Sequence, residues 1–170
     1  SFANCGLPYY IGGVVDNSEK LLVTDAKTFG EYYNIDVRVK NEVKAINTSE
    51  KTIRVFDSAN NKEYTESYDK LLISTGAEPA KFPFVKTELP GVFTLRSYSD
   101  SLEIRNFIDT RKPKTAIVIG GGFIGLEMVE NLMEHGIKVT LLDASPQVFP
   151  PVDPEIAQMV EEKLESEGVK

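Results

Sequence analysis

Three glycines and one aspartate carry the most specific chemistry in this sequence. Gly120-x-Gly122-x-x-Gly125 lies within "IVIGGGFIGLEM", and Asp143 follows Gly120 by 23 positions. Glycines at this spacing suit a turn that receives phosphate. Gly120 permits a tight turn, Gly122 leaves the backbone open to a pyrophosphate, and Gly125 lets the following helix pack closely. The helix start then offers N–H groups and partial positive charge to the phosphates. Asp143 is placed to accept hydrogen bonds from ribose hydroxyls. Its charge repels a 2′-phosphate, and no arginine follows in "DASPQ", which favours NAD over NADP. The bland alternative is a strand–helix turn with no ligand. Context favours the dinucleotide, because an apolar strand precedes the glycines, a helix follows them, and a second strand ends in Asp143.

The other reactive group is Cys5, the only cysteine in the chain. A thiolate is a nucleophile and a redox centre, and a helix start lowers a thiol's pKa. The apolar "LPYYI" after Cys5 suits a helix, since Pro8 is tolerated in a first turn. A single cysteine has no internal dithiol partner. Redox work at Cys5 therefore needs an external one, a small thiol or a peroxide. Its bland reading is a small buried hydrophobe. One cysteine also makes no intrachain disulfide, which fits a reducing, cytoplasmic compartment. His135, the only histidine, sits beside Gly136 at a helix end and reads as structural. With one Cys and one His far apart, no metal-ligand cluster is expected. Tyr9 and Tyr10 divide evenly between core and site lining. Met128 and Met133 read as helix core.

The elements that position these groups fall into two regimes. A short helix over 25–33, capped by Thr24 or Asp25, precedes strand candidates at 35–39, 42–47, 52–57 and 62–68. Turns at "TSEK" and "SANNK" make an antiparallel meander of three strands. "KLLIS" (70–74) reads as a buried strand, broken by Gly76, Pro79 and Pro83. From 113 onward come a solidly apolar strand at 115–119, a helix from about 122 to 135 closed by Gly136, and a strand at 137–142. A helix over 153–167 follows, with Ile156, Met159, Val160 and Leu164 as its apolar face. Val169 reads as the first residue of another strand. A net charge of −7 with no basic cluster argues against a nucleic-acid partner. The longest apolar stretch, 115–126, holds four glycines and is too short for a membrane span.

Four segments in order, "SFANCGLPYYIG", "YDKLLISTGAEP", "TLRSYSD" and "IVIGGGFIGLE", resemble the flavin-dependent pyridine nucleotide–disulfide oxidoreductases. They are similar to that family's redox-cysteine segment, flavin-contacting strand and turn, crossover into the second domain, and NADH-binding loop. The resemblance covers essentially the whole chain and is to the single-cysteine branch, nearest to its coenzyme A disulfide reductases. It implies an α/β, Rossmann-like FAD/NAD(P)-binding fold with a three-stranded meander. Residues 1–112 would belong to the FAD-binding domain, and 113–170 would form the first half of the NAD(P)H-binding domain. It implies FAD and NADH as cofactors, with NADPH less favoured, and coenzyme A disulfide or another small-thiol disulfide as substrate. The parent would be a homodimer. The FAD-pyrophosphate loop would precede Ser1 and the remainder of the NADH domain would follow Lys170, so both domains are expected to be incomplete here.

The resemblance also assigns residues. Cys5 becomes the redox nucleophile. Ser1 and Asn4 fall at the coenzyme A contact. Val43 falls where the backbone meets the FAD adenine, Ser74, Thr75 and Gly76 where the chain passes the flavin nucleotide, and Arg96 at a flavin contact. Phe123 joins the NADH-contacting set of Gly120, Gly122, Gly125 and Asp143, while Ile124 and Glu127 lie where nicotinamide meets flavin. Two positions depart from the pattern. Tyr33 stands where a basic residue often meets a coenzyme A phosphate, and Pro151 where peroxidases carry an aromatic residue. An NADH oxidase or peroxidase cycling Cys5 through sulfenic acid is the nearest rival, and a non-catalytic dinucleotide-binding module is the rival of another class.

Overall fold

The computed structural model of the chain describes residues 1–80, 85, 86 and 88–170. The expected break at Pro83 lies outside the described residues. The chain forms two compact units, Ser1–Val23 with Pro79–Lys170, and Thr24–Glu78.

The first unit holds the core. Its elements are α1 (Leu7–Gly12), α3 (Tyr98–Arg111), β4 (Thr115–Ile119), α4 (Phe123–Glu134), β5 (Lys138–Leu142) and α5 (Pro154–Ser166). β4 and β5 pair in parallel, Thr115 opposite Lys138 through Ile119 opposite Leu142, with α4 as the crossover. This strand–glycine loop–helix–strand unit is the Rossmann-type element the sequence implies. Ile11, Ile104, Ile108, Met128, Val129, Leu132, Ile137, Val139 and Val169 form one cluster, so α1, α3, α4 and β5 share a single core. Ile108→Ala removes one buried side chain from it and is expected to lower unfolding free energy by about 2–5 kcal/mol in chemical denaturation. A change under about 1 kcal/mol would mean that this cluster is not the unit's core.

α3 has no counterpart among the elements expected from sequence. Its start signal is present, since the Asp100 N–H donates to Ser97 Oγ and the Ser97 N–H donates to Asp100 Oδ2, a reciprocal capping box. Its buried stripe is only Ser101, Ile104 and Ile108, set among charged residues, which hides the helical period. Two further expectations in this unit need correction. β4 is a strand but not a solidly buried one. Ala116 and Val118 pack on the core while Ile117 and Ile119 are exposed. α5 buries Ala157 and packs Leu164 on the core, whereas Ile156 and Met159 face outward. Gly168 (φ 88°) closes α5 as expected. The strand expected at Val169 is seen in its hydrogen bonds. The Lys170 N–H donates to the Val139 carbonyl and the Leu141 N–H to the Lys170 carbonyl, the pairing of a parallel strand on the free edge of β5.

The second unit holds α2 (Ala26–Tyr33) and an antiparallel sheet in the order β1 (Asn41–Asn47), β2 (Thr52–Asp57), β3 (Lys62–Ser67). Asp25 caps α2, its Oδ1 accepting from the Thr28 N–H. The turns are stapled by the side chains that predict them. Asn47 Oδ1 accepts from the N–H groups of Ser49 and Glu50, and Asp57 Oδ1 from those of Ala59 and Asn60. The segment 35–39 alternates like a strand but does not pair as one. Instead Arg38 is held by Asp36, Tyr64 and Glu66. The segment 70–74 is not a strand either, and Leu72 is 88% exposed. A continuous apolar run needs a neighbouring strand and a layer on each face to be buried. No described strand pairs with it.

Candidate functional site

Cys5 sits in a 3₁₀ turn over Asn4–Gly6 that runs directly into α1, with Gly6 as the helix cap and Pro8 in its first turn. The turn is clamped from the opposite side. The Ala3 N–H donates to the Leu21 carbonyl, the Val23 N–H to that of Ser1, and a Cβ on Gly6 would stand 2.6 Å from Leu21 Cδ2. Leu7, Ile11 and Leu21 are buried around it, yet Cys5 itself is exposed. The buried-hydrophobe reading of Cys5 is therefore wrong. A held backbone with an exposed thiol suits a nucleophile that must meet a large partner. Ser1 and Asn4 are exposed beside it in sequence, and Tyr9 and Tyr10 are half-buried.

The glycine loop joins β4 to α4. Gly120 has φ 107°, which glycine alone adopts freely. A Cβ on Gly125 would stand 1.8 Å from the Gly120 carbonyl oxygen, so the first turn of α4 lies against the loop backbone. Gly122, the cap of α4, would meet nothing within 4 Å, so the space before it is open. The exposed side chains of Phe123 and Ile124 flank this opening, and Glu127 is half-buried one turn later. These residues fit a dinucleotide: a glycine-lined approach, a helix start behind it, and a carboxylate at the end of the next strand.

That carboxylate, Asp143, already has partners. Its Oδ2 accepts from the Gly121 N–H and its Oδ1 from the Ser145 N–H. Each oxygen keeps a further lone pair for a ribose hydroxyl. The Gly121 N–H, then the Ser145 groups, hold its carboxyl below the ordinary value of 3.8. A depressed folded-state pKa gives a stabilisation that is complete above 3.8 and lost as pH falls through the lower folded value. The Gly121 amide resonance is therefore expected to shift with a midpoint below 3.8. A midpoint at or above that value would break the assignment.

Sequence reasoning missed the far wall of the loop. The Phe149 N–H donates to the Gly121 carbonyl (2.7 Å), and the Phe149 ring meets Phe123 edge-on at 4.6 Å between centroids. Phe149 has φ 53°, an uncommon value for a bulky residue and one that its place before Pro150 gives no sign of. The Val148 N–H donates to Glu161 Oε1, so α5 holds this wall. No local signal predicts that contact.

Five expected residues lie on other backbone. Val43 stands at a β-bulge, where Val43 opposes Val55 and Ala45 opposes Arg54. It lines a cleft of about 360 Å³ with Ile53, Val55 and Tyr64. Ser74, Thr75 and Gly76 are exposed on irregular backbone, with Gly76 at φ 79°. In the first unit, the Arg96 N–H donates to Asp100 Oδ2, which fixes the backbone at the start of α3. His135 caps α4 and donates through Nε2 to the Ile11 carbonyl (2.7 Å), in keeping with its structural reading.

The family model described as pyridine nucleotide-disulphide oxidoreductase matches residues 1–170. The coenzyme A disulfide reductase of Staphylococcus haemolyticus (strain JCSC1435) is 38% identical over 169 residues, which are 99% of this chain and 38% of that protein. Among solved structures, reduced Bacillus anthracis CoADR-RHD superposes with a TM-score of 0.88 and 47% identity, over all of this chain and 31% of that one. The NAD-dependent persulfide reductase from A. fulgidus gives a TM-score of 0.91 and 37% identity, over all of this chain and 32% of that one. The chain thus spans roughly a third of the length of these relatives.

Proposed function

Since the chain belongs to the pyridine nucleotide-disulphide oxidoreductase family, we propose that it carries the redox thiol and the NADH loop of an FAD-dependent disulfide reductase acting on coenzyme A disulfide. The observation that carries this reading is the exposed Cys5 on a clamped turn at the head of α1, in the same compact unit as the glycine loop. The names of the relatives support a sulfur acceptor and NAD as the nucleotide.

When bound, FAD supplies the two-electron relay between the nicotinamide and sulfur. The chain's own residues do the rest. The Cys5 thiolate attacks one sulfur of coenzyme A disulfide. The substrate S–S bond breaks, a Cys5–coenzyme A disulfide forms, and one coenzyme A thiolate leaves. Two electrons originating in NADH then cleave that mixed disulfide, restore the Cys5 thiolate and release the second coenzyme A. The sum is NADH, one proton and the disulfide giving NAD⁺ and two thiols. Gly120 and Gly122 receive the NADH pyrophosphate, Gly125 seats α4 against that loop, Phe123 joins the NADH contact, and Ile124 and Glu127 lie toward the nicotinamide. Asp143 takes the ribose, and Ser1 and Asn4 the coenzyme A portion. Val43, Ser74, Thr75 and Gly76 are assigned to the flavin nucleotide, and Arg96 to a flavin contact. On this reading residues 1–112 belong to the FAD domain and 113–170 to the NADH domain. The parent is a cytoplasmic homodimer; among the described residues no helix is long and apolar enough to cross a membrane.

The test is stoichiometric. The full-length enzyme is expected to release two thiols per NADH oxidised with coenzyme A disulfide under anaerobic conditions. It is also expected to prefer NADH to NADPH by about tenfold or more in kcat/KM, the worth of about 1.4 kcal/mol of repulsion at Asp143. NADH oxidation that requires oxygen and ignores the disulfide would transfer the assignment to an oxidase using Cys5 sulfenic acid.

A further inference from the structure

The last carbonyls of α1 are gripped from two other helices. Arg105 Nη1, on α3, donates to the carbonyls of Tyr10 (3.0 Å) and Ile11 (3.3 Å). His135 Nε2, at the end of α4, donates to the same Ile11 carbonyl. A carbonyl only accepts, so Nε2 is the protonated ring nitrogen. Around this point the packing leaves no slack. Gly13 has φ 90°, and a Cβ there would stand 3.1 Å from Arg105 Nη1. A Cβ on Gly12 would stand 1.9 Å from Oδ1 of Asn131, which is buried in α4. Arg105 is in turn oriented by Asp109 (2.8 Å).

α1 has only six residues, too few to be stable alone. Its direction is therefore set by what holds it at both ends, the clamp between Ala3 and Leu21 before it and the grip on its last carbonyls after it, and its near end begins two residues after Cys5. We infer that Arg105 and His135 are positioning residues for the Cys5 thiol, acting through the Tyr10 and Ile11 carbonyls. This inference rests on the reading of Cys5 given above.

The test uses the full-length holoenzyme with the double variant Arg105→Met/His135→Ala, and separately Arg105→Lys and His135→Gln, which keep a donor. Two rates are read: anaerobic flavin reduction by NADH, and turnover with coenzyme A disulfide. A displacement near 1 Å at a reacting atom costs on the order of tenfold to a hundredfold. The double variant is expected to lose about that much disulfide turnover while flavin reduction stays within about twofold. The conservative variants are expected to recover most of the loss. Both rates falling together, in proportion to the folded fraction, would reduce the pair to a structural role and overturn the inference. So would unchanged turnover in the double variant while Cys5→Ser is inactive. Wild-type turnover in Cys5→Ser would overturn the reading of Cys5 and the inference together.

Discussion

Cys5→Ser in the full-length enzyme is expected to lower turnover with coenzyme A disulfide on the order of 10³-fold or more, the scale seen when a covalent nucleophile is removed. Only sulfur at this position forms and releases a disulfide, and a serine hydroxyl does neither. The substitution is nearly isosteric at an exposed position, so unfolding does not explain a loss. NADH should still reduce the flavin in the variant, because the glycine loop joins β4 to α4 and Asp143 follows β5, apart from the cysteine turn. Stopped-flow reduction beside steady-state turnover separates the two halves. Equal loss in both halves, or none in either, would contradict the assignment.

The second large effect contrasts two glycines three residues apart. Gly122→Val adds a side chain into open space at φ −79°, ψ −171°, which any residue adopts. The fold should be unaffected. The valine methyls would stand where the pyrophosphate is proposed to approach and displace about two charge-assisted hydrogen bonds. At about 1.5 kcal/mol each this is ~3 kcal/mol, or roughly a hundredfold in NADH affinity. Gly125→Val acts differently, because its Cβ collides with the Gly120 carbonyl and the loop or helix must move. It should lower the melting temperature as well as NADH affinity. Calorimetry and nucleotide titration of both variants test the pair. Full NADH affinity in Gly122→Val would place the dinucleotide elsewhere.

What the sequence revealed follows the range of the forces involved. The meander was legible because alternation in 52–57 and side-chain-stapled turns at Asn47 and Asp57 act within a few residues. The glycine loop was legible because φ at Gly120 and the contact of Gly125 with Gly120 are set within one turn. The same local logic misled at 35–39 and 70–74, where apolar residues have the composition of strands but no pairing strand among the described residues. α3 escaped because its inward stripe includes Ser101, a polar residue that donates to the Tyr98 carbonyl and so can be buried. The grip of Arg105 and His135 on α1 spans 94 and 124 positions and leaves no local trace. Phe149 is a similar case, with its strained backbone held by contacts to Gly121 and Phe123.

The central claim is that Cys5 works by exchanging disulfides with a small thiol. Its most direct measurement is the mass of the Cys5 peptide from the full-length enzyme as isolated, before and after reductant. The expected result is an adduct of coenzyme A mass that reductant removes. An unmodified Cys5 that resists both coenzyme A disulfide and a thiol alkylating reagent would contradict it.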